Sequence, residues 1–166
     1  MFRETEIYSL KKSPFELFGS DWAILTAKNA GGEINAMTIS WGAMGVLWNK
    51  NVFFCFVRPT RHTFSFIESG SDVSLCFFDG KYKEALAYCG RVSGRDTEKI
   101  KASGLTPNEH GDGVYYSECS LALLGQKIYS EPLKEGSFWG IDPSEWYKND
   151  FHTMYVCEIK RVLTKK

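Results

Sequence analysis

The stretch Trp22-Ala23-Ile24-Leu25-Thr26-Ala27-Lys28-Asn29-Ala30-Gly31-Gly32-Glu33-Ile34-Asn35-Ala36-Met37-Thr38-Ile39-Ser40-Trp41 decides how the rest of the chain is read. Residues 22–28 are strand-like, Asn29 to Gly32 carry turn chemistry, and residues 34–41 alternate as a second strand does. The segment therefore reads as a β-hairpin. Leu47-Trp48-Asn49-Lys50-Asn51 makes a polar break after it. Residues 52–58 follow as a third strand, and their nearly unbroken apolar run predicts burial on both faces.

Helices enter only after these strands. Thr60 is placed to cap a short helix over residues 61–69, with Phe64 and Ile67 at helical spacing and Gly70 as its stop. A strand at 73–78 precedes a helix that Asp79 can cap, that carries Tyr82, Ala85, Leu86 and Cys89, and that Gly90 can end. Another helix is predicted to start near Asp96 and to carry Ile100 before Gly104. Segments 113–116, 119–129 and 153–163 read as strands again. Pro132, Gly136, Gly140 and Pro143 mark a loop before a helical turn around residues 145–148. Hairpins come first and regular βαβ alternation is missing. The pattern therefore fits a mainly β fold, a barrel decorated by three or four short helices, better than a doubly wound sheet. No repeat, low-complexity tract or linker divides residues 1–166, which read as one domain.

Composition narrows the partners. The 166 residues hold 20 Lys plus Arg against 20 Asp plus Glu, a formal net charge of zero. A grip on nucleic acid or on an anionic membrane needs a cationic surplus, and none exists beyond Arg58, Arg61 and the Lys165-Lys166 tail; neither partner is expected. A domain of this length buries roughly 70% of the surface its unfolded chain exposes, so its core needs neither disulfide nor metal. Cys55, Cys76, Cys89, Cys119 and Cys157 are widely spaced and form no Cys-x-x-Cys pair, which signals neither a zinc site nor a redox dithiol. Cys55 and Cys76 sit inside apolar runs and read as small buried hydrophobes. Residues 1–12 have no signal-peptide core, and no apolar run approaches the ~18 residues of a membrane span, so a cytoplasmic location is expected. Aromatic residues make up 15% of the chain. An all-β core accounts for part of that surplus, and a planar-ligand pocket or an apolar subunit interface accounts for it equally well.

His62, His110 and His152 are isolated in sequence. No Gly-x-Ser-x-Gly elbow, His-Glu-x-x-His helix, Gly-x-Gly-x-x-Gly loop or Walker pattern occurs, so no catalytic residue is assigned and a nucleotide would be held in some other way. Two neighbouring segments carry chemistry. Thr38 and Ser40, two apart on a strand, point to one face, with Trp41 and Gly42 at its end. Arg58 and Arg61 flank a predicted helix N-terminus whose free amides suit a phosphate, with Thr63 in the first turn. Each residue alone also has a structural explanation, as a strand polar group, a helix cap or an arginine paired with an acid. In a third segment Ser93-Gly94 can present amides beside Arg95, and Asp96 can cap the next helix; a plain inter-helix loop explains it too.

Taken in order, Asn35-Ala36-Met37-Thr38-Ile39-Ser40-Trp41-Gly42, Val57-Arg58-Pro59-Thr60-Arg61-His62-Thr63, and Cys89-Gly90 through Ser93-Gly94-Arg95-Asp96 with Lys99 and Gly104-Leu105-Thr106 resemble the flavin reductase-like, FMN-binding split-barrel family, its flavoredoxin-like members most closely. The resemblance is strongest over residues 22–106. It implies a Greek-key split β-barrel, a homodimer, and one non-covalent FMN per subunit near the dimer interface. By position, Asn35, Met37, Thr38, Ser40, Trp41 and Gly42 would line the flavin and its ribityl chain. Arg58, Arg61 and Thr63 would contact or neutralise its phosphate, and Ser93, Gly94, Arg95 and Asp96 would close the other side. His62 stands where Tyr is usual and Glu98 where Asp is common. The implied activity is that of an NAD(P)H-dependent flavin oxidoreductase whose reduced flavin passes electrons to a second flavin, an iron-sulfur protein or another acceptor. The cofactor then carries the reaction, so missing acid–base motifs are expected. A second reading is an electron-transfer or flavin-storage protein that holds FMN without turning over NAD(P)H; a third is a barrel for another planar ligand or a structural dimer.

Overall fold

The computed structural model describes residues 1–111 and 113–165; Lys166 of the basic tail lies outside them. Among the described residues there are ten strands: β1 (Phe2–Glu4), β2 (Ala23–Lys28), β3 (Ile34–Ile39), β4 (Gly42–Leu47), β5 (Lys50–Val57), β6 (Asp72–Phe77), β7 (Pro107–His110), β8 (Gly113–Tyr116), β9 (Leu121–Pro132) and β10 (Thr153–Lys165). The short helices are α1 (Pro14–Glu16), α2 (His62–Ser69), α3 (Lys83–Arg91) and α4 (Lys99–Ala102). No helix among the described residues is long and apolar enough to cross a membrane.

The main sheet is antiparallel throughout, in the order β3-β2-β6-β9-β10-β5-β4, with β1 added to β10. Its two edge strands are consecutive in the chain, and only Ser40 and Trp41 separate them. Cα atoms across a trans peptide are ~3.8 Å apart, so Ile39 and Gly42 can be no more than about 11 Å apart. A flat sheet cannot meet that limit. The sheet curls until its edges come together where the link ties them and stays unpaired elsewhere, which makes a split barrel.

Strand alternation fills both sides of the wall. Ala23, Leu25 and Ala27 of β2, Leu75 of β6, and Phe53, Cys55 and Val57 of β5 enter the interior cluster, joined by Ile67 of α2 and by Leu17 and Phe18. Ile24, Cys76 and Leu124 face outward under Leu86 and Cys89 of α3 and Tyr116 of β8. In that outer layer the Tyr116 and Thr26 hydroxyls pair at 2.8 Å, which satisfies two buried polar groups. All five cysteines are free and buried. Burial pushes the Cys76, Cys89 and Cys157 thiols above their ordinary range.

The hairpin of residues 22–41 forms, with Ala23 opposite Ile39 and Lys28 opposite Ile34. Other expectations shift. The polar break at 47–51 is a second tight hairpin, since Leu47 pairs with Lys50 across Trp48 and Asn49, both at positive φ. Strand β4 is not legible in sequence, because its two glycines and exposed positions break the alternation that marks a strand. Helix α2 starts at His62 with Arg61 at its N-cap, and no side chain caps it, so Thr60 does not act as the cap. Asp79 makes no side-chain cap bond, α3 runs past Gly90 to Arg91, and α4 begins at Lys99 rather than near Asp96. Phe54 and Phe56 of β5 are only half-buried, because α3 and β8 pack on β2, β3, β6 and β9 and leave the β4–β5 face uncovered.

Gly42 sits where the edges meet. A Cβ there would lie 2.3 Å from the Phe18 ring. Gly42→Ala is expected to lower stability by about 1–3 kcal/mol, with Phe18→Leu in the same chain restoring part of the loss. Urea unfolding of the single and double variants measures both effects, and additive losses would contradict the contact.

Candidate functional site

The seam created by the Ser40-Trp41 link is also where the chemistry gathers. A cleft of about 180 Å³ is lined by Thr38, Ser40, Trp41, Arg58, Arg61 and His152, among others. Beside it lies a hollow of about 160 Å³, walled by residues 60–63, by the segment after α3, and by Arg95 and Lys99. Met37 and Arg61 line both. The arginine-bearing turn before α2 and the hydroxyl-bearing end of β3 therefore face one continuous space.

The hollow is electropositive for several independent reasons. The Phe64 amide donates to the Arg61 carbonyl at 3.0 Å, and no side chain caps the His62 and Thr63 amides, which leaves those two for an anion at the positive end of the helix. Arg61 donates only a long bond, 3.3 Å, to the Gly90 carbonyl. Among the described residues Arg61, Arg91 and Arg95 form no ion pair. Lys99 is buried and donates to the Cys89 and Val92 carbonyls at 3.2 and 3.0 Å, which fixes the segment between them. Burial lowers the Lys99 pKa. Burial also lowers that of His62, and the Arg95 and Lys99 charges add to it. The His62 Nδ1 atom is buried without a hydrogen-bond partner. Cations held together without an ion pair among the described residues, two free helix amides and an orphaned ring nitrogen make a donor set that fits a phosphate, with the Asp96 carboxylate the nearby opposing charge at His62.

Several residues read as ligands hold the walls instead. Asn35 Nδ2 donates to Thr63 Oγ1 at 2.8 Å, and both residues are buried. Thr38 Oγ1 donates to the Leu86 carbonyl of α3. A Cβ on Gly94 would fall 2.1 Å from Asn35 Oδ1 and 3.3 Å from the His62 ring, and one on Gly90 would fall 3.3 Å from Thr38 Cβ, so the segment after α3 lies hard against β3. Arg58 is the clearest departure from the expected phosphate role. Its Nη1 donates to Asp150 Oδ2 at 2.6 Å, its Nη2 to the Trp146 carbonyl at 2.8 Å, and its Cζ lies 5.1 Å from the centre of the Tyr147 ring. That set fastens the segment before β10 to the end of β5. Gly42 turns toward Phe18 and lies outside the cleft lining. Ser93 Oγ accepts from the Arg95 amide at 3.2 Å, while Asp96 lines a groove on the far side of Arg95. Met37, Ser40, Trp41, Arg61, Ser93 and Arg95 line the cleft or the hollow, and Gly94 lines the groove with Asp96. Ser40 and Arg61 are exposed, and Trp41 is 46% exposed.

The sequence reading missed His152. Its ring lies 5.3 Å from that of Trp41, inclined at 57°, and its Nδ1 is 2.9 Å from the Tyr147 hydroxyl. The signal lies in the register, since Thr153 opposite Val57 puts the preceding His152 beside Arg58. Burial, then the Arg58 charge, pushes the His152 pKa down to about 4, so the imidazole is neutral at pH 7.

A split barrel with an anion-accepting hollow and an aromatic cleft at its seam is the class this geometry defines. Residues 15–166 match the family model described as flavin reductase like domain, and the chain belongs to that family. Solved structures of the same fold include an FMN-binding domain of a flavin reductases-like enzyme from Shewanella baltica OS155, 15% identical over 99% of this chain and 77% of that one, TM-score 0.70. Flavoredoxin from Methanosarcina acetivorans is 19% identical over 98% and 76%, TM-score 0.68. Flavoredoxin of Desulfovibrio vulgaris (Miyazaki F) is 16% identical over 99% and 78%, TM-score 0.69. No curated protein matches the chain.

The histidine gives a pH dependence with a definite sign. Between its ordinary value of 6.5 and about 4, the unfolded chain takes up a proton that the folded chain refuses. The stabilisation is complete above the upper value and is lost as pH falls toward the lower one. Thermal melts of the native chain and of His152→Asn at about pH 7 and about pH 4.5 test this. The variant is expected to show the smaller drop, and equal drops would refute the assignment.

Proposed function

We propose that residues 1–166 form one domain that binds one FMN non-covalently at the seam and acts as an NAD(P)H-dependent flavin oxidoreductase delivering electrons to a flavin or redox-protein acceptor. The observation that carries this reading is the continuity of an aromatic-edged cleft with a cation-lined hollow through Arg61. A phosphorylated planar ligand needs both halves at once. Family membership and an FMN-binding structural relative support the identity of that ligand.

In this arrangement Arg61, Arg95, Ser93 and the first amides of α2 hold the phosphate, and Lys99 keeps the segment after α3 in place to meet it. Ser40 and Met37 follow the ribityl chain, and Trp41 borders the ring. Bound FMN supplies the ring that accepts a hydride from the nicotinamide and gives electrons onward. The chain's part is to bind, orient and set the local charge. His152, pinned by Tyr147 and neutral at working pH, places a polar edge in the cleft without a second positive charge beside Arg58. Arg58, neutralised by Asp150, anchors the loop that carries Tyr147. A homodimer follows from the same seam. Exposed Trp48 and Tyr129, whose rings are in contact, lie with half-buried Phe54 and Phe56 on one apolar face that reaches Trp41 at the cleft, and a second copy is the partner that would cover it.

The purified protein is expected to show flavin absorbance, or to gain it on addition of FMN, and to bleach rapidly with NADH or NADPH in stopped flow. Absence of flavin binding would sink the proposal, and bleaching only by a protein partner would make the chain a carrier. Arg61→Ala and Arg95→Ala should each weaken FMN by about 1.5–3 kcal/mol and leave riboflavin nearly unchanged, since the lost contact is to a charged phosphate. Flavin titrations of both ligands distinguish that result from general disruption.

A further inference from the structure

Of the side chains that wall the hollow beside α2, His62 is the one whose ordinary pKa lies near neutrality, so it alone can change its charge there at working pH. The ring is half-buried at the first position of α2. It meets Phe66 edge-on with centroids 5.0 Å apart, and the segment at Gly94 lies against it from the other side. Charge reaches the hollow from each helix around it. Arg61 stands at the N-cap of α2, Arg91 ends α3, Arg95 follows in the next segment and Lys99 opens α4, while β3 brings only the neutral Met37. Asp96 is the carboxylate that opposes these cations at the ring. Burial, then Arg95 and Lys99, keep the His62 pKa below its ordinary 6.5, so the imidazole is neutral at pH 7. No hydrogen bond at Nδ1 ties that neutral ring to one tautomer.

We propose that His62 is a proton-linked counter-charge for the flavin's phosphate: when the phosphate enters the hollow, the imidazole takes up a proton from solvent, and the site gains a cation that it lacks when empty. The inference rests on the flavin reading above. Two of the three influences that hold the ring neutral are positive charges on the hollow's wall, and a phosphate placed among them cancels their effect. Linkage then runs both ways. A ligand that makes the ring bind a proton more tightly is itself bound more tightly when that proton is present, and is loosened as pH rises and removes it. The effect belongs to the phosphate and not to the ring of the ligand, so riboflavin does not produce it. It also belongs to this chain, because the tyrosine expected at this position from the family resemblance cannot carry a positive charge.

Proton NMR of the imidazole signals tests this, since the chain has only 3 histidines. Loss of one signal in His62→Asn identifies His62 and separates it from His152, which lines the cleft. The flavin-free protein is titrated with pH alone, with saturating riboflavin and with saturating FMN. FMN is expected to raise the His62 pKa by about one unit or more, and riboflavin to leave it in place. Calorimetry gives the reciprocal result: between about pH 8.5 and about pH 6, FMN affinity of the native chain should rise about tenfold relative to His62→Asn. The FMN phosphate itself takes a proton near pH ~6, but equally for both proteins, so the ratio removes it. Riboflavin binding by the variant shows that it folds. A His62 pKa unmoved by bound FMN, or moved as far by riboflavin, would overturn the proposal and leave the flavin reading standing. Failure of FMN to bind at all would overturn that reading, and this proposal with it.

Discussion

Two residues, Ser40 and Trp41, join strands that sit at opposite edges of a seven-strand path, and this short tie governs the rest of the molecule. A longer connection would let the sheet remain open. With this one the edges must converge at one end, the wall bends around the Phe53, Leu25 and Tyr155 interior, and a seam is left where the two edges part. The seam is a natural place for a ligand because edge strands leave backbone groups unpaired and cannot be covered by their own sheet. Trp41 stands at the tie itself, half exposed, so the constraint that shapes the barrel also sets an aromatic residue at the mouth of the cleft.

Around this seam the energetics are deliberately incomplete. Arg58 has a carboxylate, a carbonyl and a ring for partners, and it behaves as a structural bolt. Arg61, Arg91 and Arg95 have no carboxylate partner among the described residues, Arg61 reaching only the Gly90 carbonyl, and the buried Lys99 has only carbonyl oxygens near its ammonium. Folding has brought like charges together without compensation, which is costly unless something anionic shares the space.

Much of this was legible in the residues. The alternation of residues 34–41 and the Gly-bearing turn before them give the first hairpin, and the apolar runs give the late strands nearly where they lie. The meeting of Ser40, Arg61 and the start of α2 around one space was legible because arginines, hydroxyls and a predicted helix start occur within a few positions of one another. What escaped depends on distance in sequence. His152 gains its surroundings from strand register 95 positions after Val57, which no local pattern carries. The engagement of Arg58 by Asp150 is the same kind of fact. Asn35 and Thr63, read on separate segments, meet in the fold, yet a sequence cannot say whether a hydroxyl such as that of Thr38 faces a ligand or a neighbouring helix. Strand β4 was hidden by its glycines, one of which exists to make room for Phe18.

The five buried cysteines bear on the chain's own thiol chemistry. Reaction with peroxides or with other disulfides requires a thiolate that solvent can reach. Here every sulfur is enclosed within the wall of the barrel or its outer layer, and at Cys76, Cys89 and Cys157 burial holds the proton on. The chain's own sulfurs are thus enclosed and, at these three, held protonated, which keeps them chemically silent whatever the seam binds.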